Sequence, residues 1–146
     1  MPAISNLASL GDELLAFLLA ASCAGCRAGG TVLCAGCRAE LRPAPRTVRT
    51  PSGLEVRAAL DFTGVAARCI RRLKGEGETL LAAPLGAALA GVLAPLVADA
   101  HHVVPVPTSG SAFRRRGYRV PELLLRRAGA APAPLLRSVA RRADQR

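Results

Sequence analysis

The chain is 146 residues long, 51% apolar and 21% charged, and its 20 Lys plus Arg outnumber 10 Asp plus Glu for a net charge of +10. That length suits one ordinary domain, or a small metal-clipped module followed by about a hundred residues of core-forming sequence. The apolar content supports a real core and excludes a chain too polar to fold, but aromatics are scarce at 3% with no Trp, so Ala, Leu and Val must do the packing.

Residues 7–21 are the first apolar stretch. It is too short to span a membrane and carries Asp12 and Glu13. A secretory signal places basic residues ahead of its apolar run, and positions 1–11 hold none. The pattern predicts a short amphipathic helix capped near Ser9, with Leu10, Leu14, Phe17 and Leu18 on one face. A cytoplasmic chain without a membrane partner is the expectation that follows.

Next come two copies of one pentapeptide, CAGCR, at 23–27 and 34–38, so that four thiols fall within fifteen positions. A Cys-x-x-Cys pair folds as a tight turn with converging sulfurs, and two such turns can close a tetrahedral four-thiolate zinc site. Cys23, Cys26, Cys34 and Cys37 are the candidate ligands. Gly25 and Gly36 hold the third position of each turn, where a positive φ is expected. Seven residues between the pairs is shorter than the usual zinc spacing. It still allows a minimal hairpin that bends at Gly29 and Gly30 and returns through Thr31, Val32 and Leu33. A disulfide pair and a thioredoxin-like redox site compete with zinc; the first lacks an export signal and the second lacks a preceding strand. The fifth thiol, Cys69, sits among apolar neighbours on a predicted helix and reads as buried and inert.

Residues 41–52 mix Pro43, Pro45 and Pro51 with Arg and Thr and read as a connector. Residues 54–62 alternate as a strand. Residues 64–74 form a predicted helix through Val65, Cys69, Ile70 and Leu73, stopped by Gly75 and Gly77. A second helix over 79–98 is apolar nearly all round, with Pro84 in its first turns. Residues 102–106 read as a short strand, 112–128 as a basic helix restarted at Pro121, and 135–140 as a third strand. The order β, α, α, β, α, β predicts an α/β fold with a parallel sheet, left unfinished at one edge.

Charge is unevenly placed. Residues 1–110 carry ten basic and eight acidic side chains, net +2, whereas residues 111–146 carry ten Arg against Glu122 and Asp144, net +8. The 19 Arg against one Lys fit a GC-rich coding bias. Against that bias, Lys74 reads either as a position that needs a compact ammonium or as a cation placed at a helix end. His101 and His102 have no partner at ligand spacing and read as loop residues. Residues 103–124, VVPVPTSGSAFRRRGYRVPELL, run from a strand into a hydroxyl loop and then an Arg-crowded helix start. An α/β sheet binds anionic groups at such a place, although a solvated basic helix gives the same pattern.

Taken in order, these pieces resemble the ComF family of competence-associated, phosphoribosyltransferase-like proteins. The double Cys-x-x-Cys start with its tail is matched by Cys23, Cys26, Cys34, Cys37 and the run from Arg38 to Pro43. An aromatic-Gly helix entry ending in Leu-Lys-x-x-Gly is matched by Phe62, Gly64, Leu73, Lys74 and Gly77. Pro84 to Gly86 with Leu89 and Ala90 match a Pro-Leu-Gly-x-x-Leu-Ala helix, and Val104 to Pro107 with Arg115 to Tyr118 match the last segment. The resemblance implies a zinc-ribbon-like module at 1–45, a linker at 46–53, and at 54–146 part of a type I phosphoribosyltransferase-like domain with a parallel sheet and flanking helices. It implies structural zinc on the four cysteines and phosphoribosyl pyrophosphate as ligand, with magnesium in the full-length reaction. Lys74, Arg115, Arg116, Gly117 and Tyr118 would touch substrate, with no catalytic residue assigned.

Two departures qualify what the resemblance implies. Arg119 and Val120 stand where the family places Asn-Gln, and no Asp-Asp pair occurs anywhere in the sequence. The family's paired Asp and Thr-Thr-Gly loop is expected beyond Arg146, so the chain is expected to be a truncated, catalytically incomplete member. The runner-up is a non-catalytic zinc-containing module that binds DNA or a protein of the competence machinery through its Arg-rich C-terminal region; scarce aromatics weaken it.

Overall fold

The structure, a computed structural model, describes residues 21–98 and 102–138. The predicted amphipathic helix at 7–21 lies outside them, apart from Ala21, which is irregular. The first described helix, α1, spans Ala35–Glu40 with Cys34 at its N-cap.

Strand β1, Arg46–Arg49, falls inside the segment read as a connector and pairs antiparallel with β2, Glu55–Ala58. Thr47 faces Arg57 and Val48 faces Val56. The turn is closed by Thr50, whose carbonyl accepts from Gly53 and whose hydroxyl accepts from the Leu54 amide at 3.0 Å. Gly53 supplies the positive φ of 82° that the turn needs. Every position of β1 is exposed. A strand with no buried face carries no apolar alternation, so its sequence gives no strand signal.

Helix α2, Gly64–Gly75, agrees with its predicted span, and Val65, Ala66, Cys69 and Leu73 share its buried face. It ends because Gly77, at φ 78°, turns the chain away. A 3-10 turn, Thr79–Leu81, leads into α3, Ala82–Val97. Pro84 lies in the first turn of α3, where no amide partner is lost. The 19 residues Thr79–Val97 contain an 18-residue window of mean hydropathy 2.1 and are, by length and composition only, enough to cross a membrane. The same composition serves a packed helix, and Ala82, Leu85, Gly86, Ala88 and Val92 of α3 are buried in this fold.

The predicted basic helix is divided in two. Helix α4, Gly110–Arg116, is capped by Ser109, whose hydroxyl accepts from the Ala112 amide at 3.3 Å. Gly117 ends α4 at φ 78°, and Pro121 lies in the first turn of α5, Val120–Arg127. A left-handed stop and a proline start only four positions apart leave no continuous helix. Helix α5 packs along α3. A Cβ on Gly86 would come within 2.9 Å of the Arg127 main chain, so glycine is what permits that approach.

The predicted parallel sheet is not what the described residues form. Residues 102–106 and 135–138 are irregular, and the one parallel feature is an isolated bridge from Val103 to Pro132. Next to that bridge the Ala133 amide donates to the Val103 carbonyl at 2.9 Å. Pro105 and Pro107 have no amide proton, so a ladder cannot continue past Val104. The fold described is therefore mixed helix and strand, with a two-stranded sheet.

One apolar cluster joins the cysteine segment to the helices. Cys23, Ala24, Leu33, Cys37 and Leu41 pack with Val65, Cys69, Leu73, Leu81, Leu85 and Val120. Cys69 is fully buried, in line with an inert thiol. Burial, followed by the neighbouring Cys23 charge, pushes it above the ordinary thiol range.

Candidate metal centre

The first CAGCR folds as a knuckle. The Cys23 amide donates to the Ala28 carbonyl at 2.7 Å, the Arg27 amide to the Cys23 carbonyl at 2.9 Å, and the Ala24 amide to the Val32 carbonyl at 2.9 Å. A bridge between Ser22 and Gly29 closes the loop, which is tighter than the expected return strand at Thr31 to Leu33. The second CAGCR opens α1, so Cys34 and Cys37 lie one helical turn apart and present their sulfurs to the same side. Positive φ is found at Arg27, 67°, and at Gly30, 80°, and not at Gly25 or Gly36. Glycine at position 25 answers a different need: a Cβ there would lie 2.8 Å from Cys37 Cβ and 3.2 Å from Val65 Cγ1.

The four sulfurs converge. The Sγ atoms of Cys23, Cys26, Cys34 and Cys37 all lie within 4.8 Å of one another, and Cys26 and Cys34 are 3.7 Å apart. A zinc ion bound to four thiolates at about 2.3 Å in a tetrahedron requires sulfurs about 3.8 Å apart. The cluster fits that geometry, and all five cysteines are free thiols.

Local electrostatics prepare one ligand. Burial would raise the Cys23 thiol, but the amides of Cys34, Cys26 and Gly25 outweigh it and bring the group down to about 6. The Cys34 amide donates to this sulfur at 3.3 Å. Cys37 moves the other way, raised first by burial and then by hydrogen bonding to its three neighbours and by the Cys23 charge. Four thiolates together in one cluster, two of them buried, repel one another; a divalent cation removes that penalty and releases the remaining protons.

Arg72 ties the centre to α2, a role that sequence reading missed. Its Nη1 donates to the Ser22 carbonyl at 2.9 Å, its Nε to Glu76 at 2.9 Å, and its Nη2 to Glu78. The i, i+4 spacing of Arg72 and Glu76 was the only sequence signal; the reach to Ser22, fifty positions away, carries none.

Of the other candidate residues, Lys74, Arg116 and Tyr118 meet at the C-terminal end of α2. Arg116 Nη1 donates to the Lys74 carbonyl at 3.4 Å, and the Tyr118 hydroxyl donates to the Leu73 carbonyl. Both bonds cap carbonyls that lack a partner within the helix. Gly117 makes the turn that carries Tyr118 there. The Lys74 ammonium is exposed and pairs with no carboxylate among the described residues, while Arg115 is exposed on α4. The Nε atom of Arg116 is buried and has no hydrogen-bond partner. His102 is exposed.

Comparison with known proteins returns no matching family model, no matching curated protein and no matching solved structure.

Proposed function

We propose that Cys23, Cys26, Cys34 and Cys37 hold a structural zinc ion, and that the scaffold it clips belongs to a ComF-like phosphoribosyltransferase-family protein. The observation that carries the zinc reading is the convergence of four sulfurs within 4.8 Å of one another, backed by a shared core with α2 and α3. Such a site contributes folding energy outright, because the ligand set does not exist in the unfolded chain.

The enzyme-family part rests on the order of its motifs along the chain. It is supported by the meeting of Lys74, Arg116 and Tyr118 at one helix end. There the exposed Lys74 ammonium and the positive charge of Arg116 would attract the pyrophosphate side of phosphoribosyl pyrophosphate, with magnesium accompanying the ligand. The carboxylate pair that would hold ribose hydroxyls is not among these 146 residues. This reading assigns these residues the clip and the cationic half of a ligand site. A protein or DNA partner for the Arg-rich C-terminal region remains the alternative, favoured by its net charge of +8.

The test has two arms. Elemental analysis of protein purified without added metal should give one zinc per chain, and a sub-stoichiometric value would remove the clip. Equilibrium dialysis with phosphoribosyl pyrophosphate and magnesium should show saturable binding that pyrophosphate displaces and that Lys74→Ala weakens about tenfold. Binding that Lys74→Ala leaves unchanged would remove the family assignment.

A further inference from the structure

Beside the first knuckle, outside the site just discussed, a concavity of about 590 Å³ opens between residues 22–27 and α2. Four guanidiniums line it, from Arg27, Arg68, Arg71 and Arg72, against one carboxylate, Glu76. Arg72 is fully engaged with Glu76, Glu78 and Ser22. Arg27, Arg68 and Arg71 are exposed, and none of them pairs with a carboxylate among the described residues. Arg71 instead lies over the Phe62 ring, 5.4 Å from its centroid.

Arg27 has the one positive φ among described non-glycine residues. A side chain in that conformation costs about 1 kcal/mol unless the surrounding structure holds it. The knuckle does so, because the Arg27 amide is bonded to the Cys23 carbonyl. The backbone therefore fixes the stem of Arg27 beside a helix face that presents Arg68 and Arg71 one turn apart. Three like charges on residues that line one hollow repel each other, and an anion in the hollow relieves that cost.

We infer that this hollow is an anion site for the polyphosphate group of a small molecule, held by Arg27, Arg68 and Arg71. Guanidiniums bind phosphate oxygens in two-pronged fashion, and the volume is that of a small-ligand pocket. A nucleic-acid track is the less favoured occupant for two reasons. Glu76 lines the hollow and Glu78 shares Arg72 with it, so acidic groups bound the basic surface on that side, and Phe62, under Arg71, is the one aromatic ring beside it among the described residues.

The experiment is calorimetric titration of the zinc-loaded full chain with inorganic tripolyphosphate, with the metal content of the recovered protein measured afterwards. The expected result is saturable one-to-one binding with zinc retained. Arg68→Glu combined with Arg71→Glu should weaken it by roughly 100-fold, since two charge-assisted contacts are lost and reversed. A charge-matched control, Arg42→Glu combined with Arg126→Glu, should leave it within about threefold. Arg68→Lys with Arg71→Lys, which keeps the charge but not the fork, should fall between. Equal weakening in the control would show a diffuse field and overturn the site, and so would heat that tracks zinc release. Loss of binding in Lys74→Ala with Arg116→Ala, but not in the Arg68 and Arg71 variant, would move the ligand to the other end of α2 and overturn it as well. Stronger binding of single-stranded oligonucleotides, rising with their length and lost in the same Glu variant, would replace the small molecule by a nucleic acid.

Discussion

The two CAGCR pentapeptides are identical in sequence, yet alanine at their glycines should have opposite effects. At Gly25 a new Cβ would meet Cys37 Cβ at 2.8 Å and Val65 Cγ1 at 3.2 Å. Neither neighbour gives way easily. Cys37 is a ligand and Val65 is a core residue of α2, so the knuckle must shift against both. Overpacking of this kind costs about 1–3 kcal/mol. Displacing one sulfur from its tetrahedral position should also weaken metal binding about 10–100-fold. At Gly36 a Cβ meets nothing within 4 Å, and the residue lies in α1 with ordinary helical backbone. Alanine there gains helix propensity of about 0.5–1 kcal/mol. Thermal unfolding of the zinc-loaded variants should show Gly25→Ala lowered by several degrees and Gly36→Ala equal to or above the parent. Competition with a chromophoric chelator should show weakened zinc in the first variant only. If both substitutions moved the midpoint in the same direction, the asymmetry of the two turns would be wrong.

Two further outcomes follow from the same contacts. Arg72→Ala should destabilise the fold by about 2–4 kcal/mol in urea unfolding, because it removes the bond to Ser22 and leaves Glu78 without its partner, so a change below 0.5 kcal/mol, also on the order of a surface substitution, would contradict the link. In the metal-free protein, ultraviolet thiolate absorbance should show one group ionising near pH 6, Cys23, with Cys37 still protonated well above it. The Cys23 group is depressed well below the ordinary thiol range, so its contribution to apo-protein stability is fully present above that range and fades as pH falls through about 6. A single titration step at ordinary thiol pH would refute the amide-stabilised thiolate.

What could be read in advance was local. The spacing of Cys23, Cys26, Cys34 and Cys37 announced a thiol cluster, because a turn of four residues converges its ends wherever it is placed. The period of Val65, Cys69 and Leu73 with Gly75 and Gly77 beyond gave α2 nearly to the residue. Pro121 marks a restart that the sequence shows, but the stop at Gly117 does not stand out from the sequence, so two short helices lie where one interrupted helix is expected. The missed strand β1 pairs through backbone bonds with both faces exposed, so its side chains were under no constraint that a pattern could record.

The amino-acid sequence alone determined that four thiols would meet, where α2 and α3 would run and where cations would crowd. Tertiary structure decided the rest. It separated two identical pentapeptides into a knuckle and a helix start, placed Arg72 on Ser22, and brought Arg116 and Tyr118 onto the end of α2 from more than forty positions away. The reason is range: periodicity and turn chemistry report forces within one or two turns of chain, whereas these contacts exist only because a shared apolar core holds distant segments together.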